Sequence, residues 1–307
     1  MENCRHVRSS LQSKVESDMK KFIKRIGISI LALLGLSIVV AGSMGLMGQR
    51  DLNKTRPIQP QQVNIPTDSA SIAAGQRWAT VLCTGCHGEN YAGSKFMDVP
   101  ALGMVCAPNL TPAGVGQYYR DADWVRAIRH GLNPQGKAFV IMPSENFQYL
   151  SDEHLGQLTA YLKSLPPVEQ TWPSRNFTFL SMVMYQAGAM GLLPTDKIDH
   201  QSQHPTPVKA DTPAYGQYLA NLTGCNMCHG TNMKGGTSPD VESPPCPDIS
   251  AGSAAGRWGA EGFVRVLRTG ITPQGKELNS KFMPWREHGR LDDVQLRAIY
   301  AYLQTSK

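Results

Sequence analysis

The chain has 307 residues, 41% hydrophobic and 18% charged, a globular composition that excludes a disordered polymer and suits about two domains. Its formal charge of +6 sits at one end: residues 1–56 carry ten Lys/Arg against four Asp/Glu, and the other 251 residues hold twenty of each sign. A balanced body offers no basic face, so no nucleic-acid partner is expected.

Residues 26–47, IGISILALLGLSIVVAGSMGLM, carry no charge. As a helix at 1.5 Å per residue they span roughly 30 Å of hydrocarbon. Lys20, Lys21, Lys24 and Arg25 stand just before them, with Arg5, Arg8 and Lys14 further back. The positive-inside rule keeps that end cytoplasmic and exports everything after Met47 to the periplasmic side. The alternative is a cleaved signal peptide, with Ala41-Gly42-Ser43 as the cleavage site, but its apolar core would be shorter. Met19 offers a second start, which would remove Cys4 from the mature chain. Residues 1–25 therefore read as a basic cytoplasmic end, 26–47 as a transmembrane anchor and 48–66 as a polar, Pro-bearing tether.

Beyond the tether one unit occurs twice. GQRWATVLCTGCHG from Gly75 returns as GQYLANLTGCNMCHG from Gly216, and CAPNLT from Cys106 as CPDISA from Cys246. WVRAIRHGLNPQGK from Trp124 returns as FVRVLRTGITPQGK from Phe263. Each copy has a Met-Pro, Met142-Pro143 and Met283-Pro284, and closes with an amphipathic run from Leu150 and Leu291. The copies occupy 67–167 and 211–307. In the closing runs Leu155, Leu158, Leu162 and Leu165 share a helical face, as do Leu291, Val294, Ala298 and Tyr302, with Ser151 and Asp292 as N-caps. Residues 168–210 form a Pro-bearing linker. Its uncharged run FLSMVMYQAGAMGLL is too short to cross a bilayer and is expected to pack as a helix on one or both copies. With no β-alternation of any length, the predicted fold is all-α.

Each copy carries CxxCH: Cys83, Cys86 and His87, then Cys225, Cys228 and His229. The pattern suits a c-type haem, in which two thiols add across the vinyl groups and the adjacent imidazole turns to the iron. A zinc site would want a second His three to five residues on, which neither copy supplies. A dithiol redox motif would follow a strand in an α/β pattern. Two haem c groups are the expected cofactors.

With these motifs the sequence resembles the class I cytochrome c family in tandem, over about 70–167 and 212–307. The resemblance implies a Met as sixth iron ligand on the loop before the last helix, which points to Met142 and Met283, each ahead of a Pro. A soft thioether favours Fe(II) and raises the potential. It also implies a Pro carbonyl that orients the His; Pro108 and Pro247 match, 21 and 18 residues after the His. Gly75 and Gly216 resemble the glycine where the first and last helices cross, facing Tyr161 and Tyr302. Arg126 and Arg265 occupy matched positions, either near a propionate or on a solvated face. His130, His154, His200, His204 and His288 lack counterparts and read as surface or capping residues.

The expected function is outer-sphere electron transfer with no catalytic residue, from a dehydrogenase or quinol-oxidising complex to another cytochrome or a terminal oxidase. The arrangement, with its PNLT segment, resembles the cytochrome subunits of periplasmic dehydrogenases. The rival is a di-haem redox enzyme, of peroxidase or thiosulfate dehydrogenase type, in which Cys106 or Cys246 could serve as a ligand. Those two thiols are otherwise either a disulfide or free and buried.

Overall fold

The computed structural model describes residues 2–238 and 243–306, with side chains in the N-terminal helix given for residue 16 and from residue 18 on. Cys4, Arg5, Arg8 and Lys14 thus have side chains outside the described residues. The chain forms two compact units. One holds residues up to Asp51 together with Phe177–Gly191; the other holds Leu52–Asn176 and everything from Leu192 onward.

In the first unit helix α1, Glu2–Asn53, contains a stretch, Asp18–Asn53, long and apolar enough to cross a membrane. It runs without a break past Met47. The linker run forms a helix as expected, α7 (Phe179–Gln186), capped by Thr178, whose hydroxyl accepts from the Ser181 amide at 3.2 Å. α7 belongs with α1, where a Cβ on Gly45 would strike the Phe179 ring and one on Gly48 the Met182 carbonyl. The two glycines lie three apart on one helix face, and small residues there let two backbones approach closely.

The second unit is mostly helical and contains both copies. Copy 1 runs α2 (Ser69–Leu82), α3 (Thr84–His87), α4 (Asp121–His130), α5 (Ser144–Phe147) and α6 (Asp152–Lys163). Copy 2 repeats the order with α8 (Pro213–Leu222), α9 (Cys225–His229), α10 (Gly259–Thr269), α11 (Trp285–His288) and α12 (Asp293–Leu303). The first and last helices of each copy cross at glycine. A Cβ on Gly75 would collide with the Gln157 carbonyl and Tyr161, and one on Gly216 with the Ala298 carbonyl and Tyr302. Ser151 caps α6 through the His154 amide at 3.1 Å, and Asp292 with Gln295 forms a capping box on α12.

Leu155, Leu158, Leu162 and Leu165 are buried, as their spacing implies. In α12 the buried face is rotated from the expected one: Leu296, Ala298, Ile299 and Leu303 are inside, and Val294 is exposed. The 3-4 spacing of Leu296, Ile299 and Leu303 continues the apolar stripe, while Val294 begins a turn that faces solvent.

One β-hairpin departs from the all-α expectation. β1 (Ser94–Val99) pairs antiparallel with β2 (Gly103–Ala107), with a bulge between Lys95 and Met97. The bulge puts one residue out of step, which breaks the two-residue alternation that would have signalled a strand. The hairpin fills the longer His-to-Pro interval of copy 1.

The segment read as a tether lies along copy 1 from Thr55. Arg56 is buried and forks onto Asp196 at 3.1 and 3.2 Å, and its amide donates to the Gly136 carbonyl at 2.8 Å.

Candidate haem sites

Both CxxCH motifs form one helical turn at the end of the first helix of the copy. Cys83 closes α2, and its carbonyl accepts from the His87 amide at 2.9 Å. In copy 2, Gly224 takes a left-handed conformation (φ 77°) to start the turn Cys225–His229. Residues i, i+3 and i+4 of a helix share one face, so two thiols and an imidazole emerge together.

The imidazoles are oriented alike. His87 Nδ1 lies 2.8 Å from the carbonyl oxygen of Pro108, and His229 Nδ1 lies 2.8 Å from that of Pro247. A carbonyl only accepts, so Nδ1 carries the proton and Nε2 keeps its lone pair. Burial lowers the pKa of both His residues, partly offset by that hydrogen bond, which favours the neutral ligand form.

The thiols are desolvated. Burial pushes Cys83 up to about 12 and raises Cys86, Cys225 and Cys228; the Glu287 carboxylate adds to the effect at Cys86. A dithiol redox pair works through a stabilised thiolate, the opposite environment. No group of three or more His, Cys, Asp or Glu suited to a metal ion occurs among the described residues. The chemistry of this donor set fits a covalently attached haem: neutral thiols beside an imidazole with its Nε2 free.

Met142 and Met283 are partly buried against the core. Each precedes a Pro that caps a one-turn helix, α5 or α11, and then the last helix of its copy. Each copy also holds a buried indole N–H without a protein acceptor, Trp124 Nε1 and Trp258 Nε1. A buried donor left unpaired costs about 1–3 kcal/mol, so each suits an acceptor that the protein does not provide. Neither indole stood out in the sequence, because Trp124 and Trp258 are not repeat equivalents.

Cys106 and Cys246 are free thiols. Cys106 stands on β2 opposite Lys95, and Cys246 touches Cys228 just before the Pro247 that holds His229. Arg126 is bound to Asp123 at 2.6 Å, and Arg265 is exposed. The surface reading fails for two histidines. His130 is buried with Nδ1 2.9 Å from His200 Nδ1, and the His154 Nδ1 lies 2.8 Å from the Tyr218 hydroxyl of the other copy. Tertiary packing buries His130 and half-buries His154 on helices whose sequence pattern leaves those positions open.

The copies meet reciprocally. Asn146, the third residue of α5, sets its Nδ2 2.9 Å from Sδ of Met227, inside the second CxxCH. Glu287, the third residue of α11, lies against Gly85, inside the first; a Cβ there would sit 3.5 Å from Glu287 Cγ. Arg290 adds hydrogen bonds to Thr84 Oγ1 (3.0 Å) and the Thr80 carbonyl (3.3 Å).

The family model described as Cytochrome c matches residues 72–166 and again 213–307. The chain is 32% identical over 126 residues to the fructose dehydrogenase cytochrome subunit of Gluconobacter japonicus, covering 37% of this chain and 26% of that protein. It is 33% identical over 99 residues to the cytochrome c subunit of a quinone alcohol dehydrogenase of Gluconobacter oxydans, covering 28% and 20%. A nicotinate dehydrogenase subunit of Pseudomonas putida is 30% identical over 100 residues, covering 29% and 8%. The matches thus span about a quarter or less of each relative's length.

Proposed function

Because the chain belongs to the cytochrome c family, in two tandem domains, we propose that it carries electrons through two covalently bound haems, each with His/Met ligation. Bound there, the group supplies a one-electron iron couple. The protein's own part is attachment, orientation and tuning. Cys83 and Cys86, then Cys225 and Cys228, would hold the haems through thioethers. His87 and His229, held in one tautomer by Pro108 and Pro247, would offer Nε2 to the iron, and Met142 and Met283 would offer their thioether sulfurs as the second protein ligands. The buried, unpaired indole N–H groups of Trp124 and Trp258 would donate to a polar group of the bound haem. The observation that carries this reading is the pair of 2.8 Å contacts from His Nδ1 to a Pro carbonyl, identical in both copies.

Irons ligated in this way would leave no substrate position, which supports a role in transfer over catalysis. Cys246 touches Cys228 and directly precedes the Pro247 that orients His229, which disfavours it as a sixth ligand in a di-haem enzyme. Relatives named as cytochrome subunits of dehydrogenases support a dehydrogenase as donor. Another cytochrome or a terminal oxidase would accept. α1 holds the chain in the membrane with both domains on the periplasmic side, in line with the cationic residues before its apolar stretch.

Intact-mass measurement and a redox titration with optical and EPR readout test the reading together. The expected result is a chain heavier than its peptide by two haems, both low-spin, with the charge-transfer band of an iron–thioether bond. Unmodified peptide mass after correct maturation would end it.

A further inference from the structure

We propose that α7 and its uncharged flanks form a second membrane contact, lying in the outer surface layer of the bilayer that α1 crosses. This rests on reading α1 as a retained anchor. The run is too short to span, yet it exposes Phe179 (55%), Leu180 (48%) and Met190 (37%). It is held to α1 at Gly45 and Gly48, where the apolar stretch of α1 ends. Tyr185 donates to Asp51 just beyond, so polar groups begin on both helices at the same level. A helix pinned to the exit of a span, with Phe179 and Leu180 exposed at its start and Met190 just beyond its end, has lipid as the matching partner.

The test places a photo-crosslinking phenylalanine analogue at Leu180 in the full haem-loaded chain, in vesicles of phosphatidylethanolamine and phosphatidylglycerol. The expected product is a phospholipid adduct at 180 and none from the same analogue at Tyr118, which is 75% exposed in the other unit. A chain that retains residues 19–47 but gives no lipid adduct at 180, or only protein adducts, overturns the proposal. A mature chain lacking those residues overturns the anchor reading instead.

The reciprocal junction carries a second, independent inference. Asn146 and Glu287 are equivalent, four residues beyond Met142 and Met283, and each lies on the other copy's CxxCH. One is neutral and one is a carboxylate. Arg290 faces Glu287 and Glu89 together, so one cation meets two anions beside the first motif. A net negative charge stabilises the ferric state. We infer that Glu287 makes the copy 1 haem the lower-potential centre, so that electrons pass from copy 1 to copy 2.

This also rests on the two-haem reading. In a redox titration of the full chain, M142A identifies the copy 1 wave as the one it displaces. E287Q is expected to raise that same wave, which is the lower of the two, and N146D to lower the other. An E287Q chain with both waves unmoved, or only the copy 2 wave shifted, sinks the inference. A wild-type chain without two one-electron waves sinks the two-haem reading itself.

Discussion

Arg290 Nη2 lies 2.5 Å from Glu89 Oε1 and Nη1 lies 3.2 Å from Oε2, a two-pronged ion pair from the second copy to the first. Its position matters more than its energy. Glu89 keeps 75% of its side chain in solvent, and such pairs contribute about 1 kcal/mol at most.

Replacing Arg290 by Gln should therefore lower stability by less than about 1 kcal/mol in urea unfolding. A double-mutant cycle with E89Q should give a coupling that fades at high salt. A loss of several kcal/mol would mean that the pair holds the copies together, contrary to its exposure.

The iron ligands can be separated from attachment. M142A and M283A should each leave the haem covalently bound while removing one thioether band and lowering one midpoint potential. Iron that keeps both bands in either variant would require another sixth ligand.

The helix crossings should tolerate nothing larger than glycine. G75A and G216A drive a methyl into the Gln157 and Ala298 carbonyls, and each should cost at least about 1–3 kcal/mol, read by thermal unfolding. Since the contact is backbone, no rotamer change relieves it. A neutral G75A would show that the helices can separate freely.

Acid should weaken the second unit through its histidines. Burial pulls His130, His154 and His204 down to about 4, from 6.5 when unfolded. Between these values the unfolded chain binds more protons, so stability is complete above pH 6.5 and falls as pH drops toward 4. The urea midpoint should fall from pH 7.5 to pH 5, and H130Q and H154Q should each flatten that slope. Equal midpoints at the two pH values in the wild-type chain would refute the assignment.

Local chemistry is legible in the sequence. Cysteine and His spacing within one turn, the Met-Pro dipeptides, the caps at Ser151 and Asp292, and the glycines at 75 and 216 all speak through near neighbours or through repetition. The hairpin is not, because its bulge hides the strand period. Nor are the contacts of His130 and His154, which meet His200 and Tyr218 from more than sixty residues away.

The sequence by itself determined that each copy carries two thiols and an imidazole on one helical turn, since that spacing is set by residues a few bonds apart. Only the tertiary structure decided that Asn146 and Glu287 each lie on the other copy's motif, and that the linker helix belongs with α1. Such contacts join surfaces distant in the chain. Their partners are chosen by shape and burial after the helices have formed, and leave no local pattern to read.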